Sequence, residues 1–252
     1  MAQDSRALAY VNMFGVLGAL APLCRLVPEA SALIADKKIS VGMTVNNGPS
    51  ATFLFDHGTC TVTEGVSNCD IKLPFSSCEK FNGLIDGTTT PIPSKGFLKI
   101  GFLLKVFTKL TDLLPKYLRA EQKDLEDPDF FRKSTLIMLE LIGNAIVQLG
   151  NEDKVSRFSA SNMIDGDIKL GIRDEVFVYI RCRDHKLSLI SEAEAEPAAS
   201  MIFDDIQLAR ALFDGQVNAL ACIGTGRIRI SGMIPQMDNI NRILDRVALY
   251  LA

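Results

Sequence analysis

The stretch ACIGTGRIRISG, Ala221 to Gly232, sets Gly224-Thr225-Gly226 beside an alternating apolar run, and such glycines could expose backbone amides to a phosphate. A dinucleotide fingerprint would also need its third glycine at position 229 and a helix opening directly after the loop. Position 229 is Arg, and Ile228-Arg229-Ile230 reads as a strand. The glycines are therefore expected to shape the chain and not to hold a nucleotide.

The other reactive side chains give no stronger signal. The two histidines, in FDHGT and RDHKL, each lie between strand-like runs where a hairpin turn belongs, so both are expected at solvated turn tips. Six cysteines (Cys24, Cys60, Cys69, Cys78, Cys182, Cys222) form no C-x-x-C pair, which leaves no metal-site spacing and suggests reduced thiols in a cytoplasmic protein. No G-x-S-x-G and no Cys/His pair at interpretable spacing offers an activated nucleophile. Glu192, Glu194 and Glu196 alternate in SEAEAEP and are read as the wet face of a strand. No cofactor, metal or catalytic residue is expected.

The elements that must position these residues repeat. LPFSSCEKFNGLIDG, Leu73 to Gly87, lies on MIFDDIQLARALFDG, Met201 to Gly215, at a constant offset of 128: Phe75 meets Phe203, Leu84 meets Leu212, and Asp86-Gly87 meets Asp214-Gly215. Ser76 with Glu79 reads as a capping box and Asp204 with Gln207 as an approximate one, so both copies open a helix there and close it at a glycine. Upstream, KISVGMTV and DIKLGIRD alternate as half-buried strands, with Ile39, Val41 and Met43 set against Ile168, Leu170 and Ile172. Downstream, Leu98 and Ile100 match Ile228 and Ile230 as a further strand, with Lys99 and Arg229 on its wet face. An amphipathic helix ends each copy. The offset that aligns Asp56-His57 with Asp184-His185 sets Phe53 against Arg181, so the register of the second strands stays open.

Each copy also begins with an apolar helix. The first, ALAYVNMFGVLGALAPLC from Ala7 to Cys24, could be a signal or a membrane span, but Pro22 and Arg25 interrupt it and its counterpart, Leu136 to Leu149, cannot be a targeting signal. A buried helix is expected, and a transient membrane contact by it is left open. Residues 1–120 and 134–252 are read as two domains, joined by the charged linker 121–133. At 252 residues and 48% apolar content there is ample material for their cores. With 27 basic and 30 acidic residues and no long basic run, nucleic acid is an unsuitable partner.

The second half resembles the sterol carrier protein type 2 family. The likeness lies in a short helix ending at Gly215, the small-residue segment at Asn218-Ala219, then Gly226, Ile228-Arg229-Ile230 and Gly232. The first half keeps Gly87, Gly96 and Leu98-Lys99-Ile100 but has Thr-Thr-Thr-Pro in place of the small-residue segment and Phe102 in place of the last glycine. The resemblance implies an α+β fold: two tandem domains, each a mixed five-stranded sheet covered by helices. It also implies an apolar tunnel for a fatty acid, acyl chain or sterol-like lipid, closed partly by the C-terminal helix, with no chemistry performed on the ligand. The residues that would line it are Phe81, Leu84, Phe107, Leu110 and Leu114 in the first copy, and Met201, Phe203, Leu208, Leu212, Ile240, Leu244 and Val247 in the second. From periodicity alone the same positions read as ordinary core, and a structural or regulatory module with self-filled interiors is the alternative.

Overall fold

The computed structural model describes residues 3–252; the first two residues of the domain expected at 1–120 lie outside them. The chain divides into two compact units, the second running from Ser134 to Ala252. Each is α+β, a mixed sheet covered by helices.

In the first unit α1 (Ser5–Tyr10) and α2 (Leu20–Leu26) are joined through a π-helical turn, Val11–Val16. The stretch Ser5–Leu26 is long and apolar enough to cross a membrane, yet 72% of its most apolar window is buried within the protein. Its polar residue Asn12 donates to Asn82 Oδ1 at 3.1 Å, and Asn82 donates to the Ser5 carbonyl at 2.9 Å, so the interruption is satisfied internally. After α3 (Pro28–Ala32) come β1 (Lys38–Val45), β2 (Ser50–Asp56), β3 (Thr59–Glu64) and β4 (Ile71–Phe75). They lie in the order β3-β2-β1-β4, with β4 parallel to β1 and the other pairs antiparallel. Then follow α4 (Cys78–Ile85), a 3₁₀ turn (Phe97–Lys99), α5 (Ile100–Phe102), a π turn (Leu103–Phe107) and α6 (Thr108–Leu118).

The charged segment 121–133 is part helical. A 3₁₀ turn spans Asp124–Glu126, the long α7 (Pro128–Glu152) begins inside the segment, and its Phe130 is buried in a stack on Tyr117. The second unit continues with α8 (Lys154–Ser161), β5 (Gly166–Ile172), β6 (Phe177–Arg183), β7 (Lys186–Ile190) and β8 (Ala199–Phe203). It ends with α9 (Ile206–Phe213), α10 (Ala219–Gly224), β9 (Ile228–Gly232) and α11 (Ile234–Leu251). Its strand order is β7-β6-β5-β8-β9.

Strand pairing resolves the register left open by the sequence. Val41 pairs with Phe53 and Ile71, as Ile168 pairs with Ile180 and Ala199, so β1 and β2 match β5 and β6 at an offset of 127, where the sequence match had set β1 at 129 and β2 at 128. Phe53 and Phe55 therefore correspond to Ile180 and Cys182, all buried, while Arg181 corresponds to the outward Leu54. The strands that follow, β3 and β7, keep the offset of 127, and the shift to 128 falls in the loops before β4 and β8. His57 and Gly58 form one two-residue turn with φ of 47° and 89°, and Asp184 and His185 form the other with φ of 49° and 61°. Both histidines are thus exposed turn residues, one place apart in the true alignment.

The helix caps also move by one residue. Ser77, not Ser76, accepts from Lys80 N, and Asp205, not Asp204, accepts from Leu208 N. Gly87 and Gly215 close the two helices with matching pairs of backbone bonds, Thr88 N to Gly83 O with Gly87 N to Leu84 O, and Gln216 N to Ala211 O with Gly215 N to Leu212 O. The run Ser191 to Pro197 is loop and not strand, and Glu194 reaches Arg181 from it.

The first sheet has four strands where five were expected. In the second unit Asp204 N donates to Arg227 O and Met233 N to Ala198 O; the ladder alternates, which makes Ile202 and Arg229 a hydrogen-bonded pair. A fifth strand in that register would set Lys99 opposite Pro74, which has no N–H to donate. It would also put Phe102 where Gly232 stands at φ 80°, a position whose Cβ would come within 2.2 Å of the Ala198 carbonyl oxygen. The chain instead makes a single bridge, Lys72 to Lys95, and turns into helix at Phe97. Gly232→Val lowers stability by about 2 kcal/mol or more, because it adds left-handed strain to a steric clash. A urea midpoint unchanged by that substitution would contradict the role given to this glycine.

Candidate ligand-binding site

The glycine motif ends a helix and cradles nothing. Asn218 caps α10 by accepting from Ala221 N, and the helix closes with Arg227 N donating to Cys222 O and Gly226 N to Ile223 O, Gly226 taking φ 74°. The chain then enters β9, pairs with β8 and passes into α11, which packs over β8 and β9.

The interior beneath α11 is apolar. Inward residues of the sheet include Ile168, Leu170, Ile180, Met201 and Phe203; α9 supplies Leu208, and α11 supplies Met237, Ile240, Ile243 and Val247. Of the lining residues expected in this unit, Met201, Phe203, Leu208, Ile240 and Val247 are buried in this layer, while Leu212 and Leu244 are half-buried at its margin. Ile243 takes the inward place expected for Leu244. The spacing of Met237, Ile240, Ile243, Val247 and Tyr250 carries that phase and marks the true inner stripe.

Two buried polar contacts tie α11 at its ends, and Asn239, also buried, donates within the helix to the Pro235 carbonyl at 2.9 Å. Near its start the Gln236 side chain makes both bonds of a peptide partner, accepting from Ile164 N at 3.2 Å and donating to Ile164 O at 2.7 Å. Near its end lies Asp153, the N-cap of α8, which is buried. It takes both Arg246 nitrogens (Nη2 at 2.9 Å, Nε at 3.1 Å), the Tyr250 hydroxyl at 2.9 Å, and the Ser156 amide and hydroxyl at 3.0 and 3.1 Å. Burial opposes ionisation, but these donors outweigh it and hold the Asp153 carboxyl at about 2. The sequence marks Asp153 as a cap before Ser156, but gives no sign that α11 would return to it.

In the first unit the expected lining residues fall into separate contacts. Phe81 meets Phe75 edge-on at 5.1 Å, Phe107 meets Phe55 at 6.1 Å, and Leu110 and Leu114 are buried on α6, which packs on α2. Leu84 is half-buried. Phe102 joins Phe55 at 5.3 Å from the segment expected to be a strand. The aromatic cluster on Phe55 could be found only once that segment was known to be helical.

Outside these interiors, a polar cleft of about 220 Å³ opens beside β6, lined by Asp165, Asp167, Arg181, Arg183, Glu194 and Glu196. Arg181 is already paired with Asp167, through Nε at 2.8 Å and Nη2 at 3.0 Å, and with Glu194 at 2.7 Å, which leaves it little to offer an anionic ligand. Among the described residues no group of His, Cys, Asp and Glu is placed to hold a metal ion.

No protein-family model matches the chain, and no curated protein does. Similar solved structures include a ubiquinone synthesis protein, UbiJ-SCP2, at 15% identity, covering 42% of this chain and 95% of that one with a TM-score of 0.33. A conserved hypothetical protein of Thermus thermophilus is 16% identical, covering 43% and 85% at 0.33, and a sterol carrier protein 2 is 16% identical, covering 44% and 92% at 0.33. The fold itself is read from the strand order and registers above.

The Asp153 cluster makes stability depend on acid in a defined window. Its folded pKa lies below the usual unfolded value near 4, so its contribution is complete above that value and is lost as pH falls toward 2. Urea unfolding of the wild type should lose about 2 kcal/mol across that interval, and Asp153→Ala should cost about 3 kcal/mol or more at neutral pH by leaving Arg246 without its carboxylate. An acid loss that persisted undiminished in Asp153→Ala would place its origin elsewhere.

Proposed function

We propose that this protein binds and carries a hydrophobic small molecule, such as a fatty acid, an acyl chain or a sterol-like lipid, and performs no chemistry on it. One observation carries the reading: the buried residues of α11 and the second sheet are predominantly apolar, and the buried polar groups on α11 are satisfied by Ile164, Pro235 and Asp153. Hydrocarbon placed there leaves water at about 0.8 kcal/mol per buried methylene, and no buried polar group has to be abandoned along its length. Leu220 on α10 and Ile234 at the start of α11 are exposed apolar residues of the same unit. A binding role without catalysis is supported by the two histidines at turn tips and by six cysteines that are all buried and free. The same free thiols support a reducing, cytoplasmic location.

The second reading, an interaction module with a self-filled interior, is favoured by the anchoring of α11 at both ends, since a ligand has to part a packed layer. Native mass spectrometry followed by gentle organic extraction separates the two. Carriage predicts a copurified hydrophobic molecule, or displacement of a fluorescent fatty acid at micromolar concentration, with Leu244→Arg at the margin of the layer abolishing chain binding by the second unit. A protein that carries no lipid and displaces no probe leaves the interaction module as the function.

A further inference from the structure

The missing fifth strand leaves an unusual surface on the first unit. Leu98 occupies the place of Ile228, which is 2% exposed on β9, yet Leu98 is fully exposed at 103%. Ile92, Phe97, Ile100 and Leu104 are exposed beside it. From Phe97 to Leu118 the chain is continuously helical, and its two faces differ. Phe102, Leu103, Phe107 and Leu110 face the core, while Leu98, Gly101, Leu104, Lys105 and Thr108 follow one another at three- and four-residue spacing on the outside.

The charge within the segment that carries this apolar stripe is of one sign, with Asp70 of the adjoining sheet paired to Lys99. Between Thr88 and Thr111 there are four lysines, Lys95, Lys99, Lys105 and Lys109, and no acidic residue, in a chain whose net charge is -3. All four are exposed. The segment is also held in place: Lys99 Nζ pairs with Asp70, whose other oxygen accepts from Ser40 N at 2.8 Å, and Lys95 Nζ donates to the Cys69 carbonyl at 2.6 Å. Return to a strand on β4 is opposed by Pro74. Exposed aliphatic and aromatic side chains rimmed by lysines match a bilayer interface: the apolar groups enter the acyl boundary and the ammonium groups meet anionic headgroups.

We propose that the outward face of the Phe97–Lys109 helix docks on the surface of a membrane containing anionic lipid. This inference does not rest on the interior of the second unit holding a ligand. It also assigns membrane contact to this face and not to the apolar first helix, most of which is buried.

Flotation of the full chain with phosphatidylcholine vesicles, with and without one part in four of phosphatidylglycerol, tests it. The wild type should float with the anionic vesicles and stay behind with the neutral ones. Leu98→Glu with Leu104→Glu should abolish flotation, and Lys105→Glu with Lys109→Glu should weaken it by about tenfold or more. Phe158→Glu, at an exposed apolar position of the second unit, should change nothing. All these side chains are exposed, so the variants should keep the wild-type circular dichroism spectrum and thermal midpoint. Failure of the wild type to float with anionic vesicles, or undiminished flotation of the Leu98/Leu104 variant, overturns the proposal. Self-association without vesicles that the same variant abolishes, with no flotation by either protein, would show that the face belongs to a second copy of the chain.

Discussion

A single backbone N–H separates the two halves of this molecule. At Ile202 it is present, on the outer edge of β8, and the chain that leaves α10 adds to that edge as β9. At the equivalent Pro74 it is missing, and a strand laid there would leave the Lys99 carbonyl without a donor. The two units diverge from this point. The second has a five-stranded sheet and a closing helix packed over β8 and β9, while the first has a four-stranded sheet and a helix that begins at Phe97 and packs its aromatic residues on Phe55 of β2. Gly232 and Phe102 reinforce the division, because only the glycine can turn out of β9 against the Ala198 carbonyl.

The same divergence separates two kinds of apolar surface. In the second unit Ile228 of the glycine-flanked segment is drawn into the core, and the segment completes the sheet as β9. In the first the matching residues stand in solvent among lysines. Apolar content that one copy uses for its core becomes in the other an outward feature, which is why membrane docking and ligand binding are assigned to different units. Asp153 adds a separate constraint. A buried carboxylate that accepts from Arg246, Tyr250 and Ser156 ties the end of α11 to the junction of α7 and α8.

Much of the architecture was legible in the sequence because its signals are local. The apolar alternations of β1 and β5, the glycine that closes each short helix and the turn chemistry around the two histidines depend on residues a few places apart. Some misreadings were local, such as the helix caps that move by one residue, and the largest depends on a distant partner. The fifth strand of the first unit looked sound from Leu98 and Ile100 alone, and its obstacle, Pro74, lies on another strand, although a proline in β4 was a visible warning. The one-residue slip at the hairpins arose from matching Asp-His to Asp-His, when the shared feature is the two-residue turn itself. On α11 Ile243 lies inward where Leu244 was expected, and the pairing of Asp153 with Arg246 had no local signal.

Residue-resolved Cα chemical shifts test the central claim most directly, since they report backbone conformation without reference to packing. Residues 97–104 should show helical shifts continuous with those of α6, while residues 228–232 show extended shifts. Extended shifts across 97–101, matching those of β9, would mean that Pro74 does not exclude a fifth strand and that the two units are built alike.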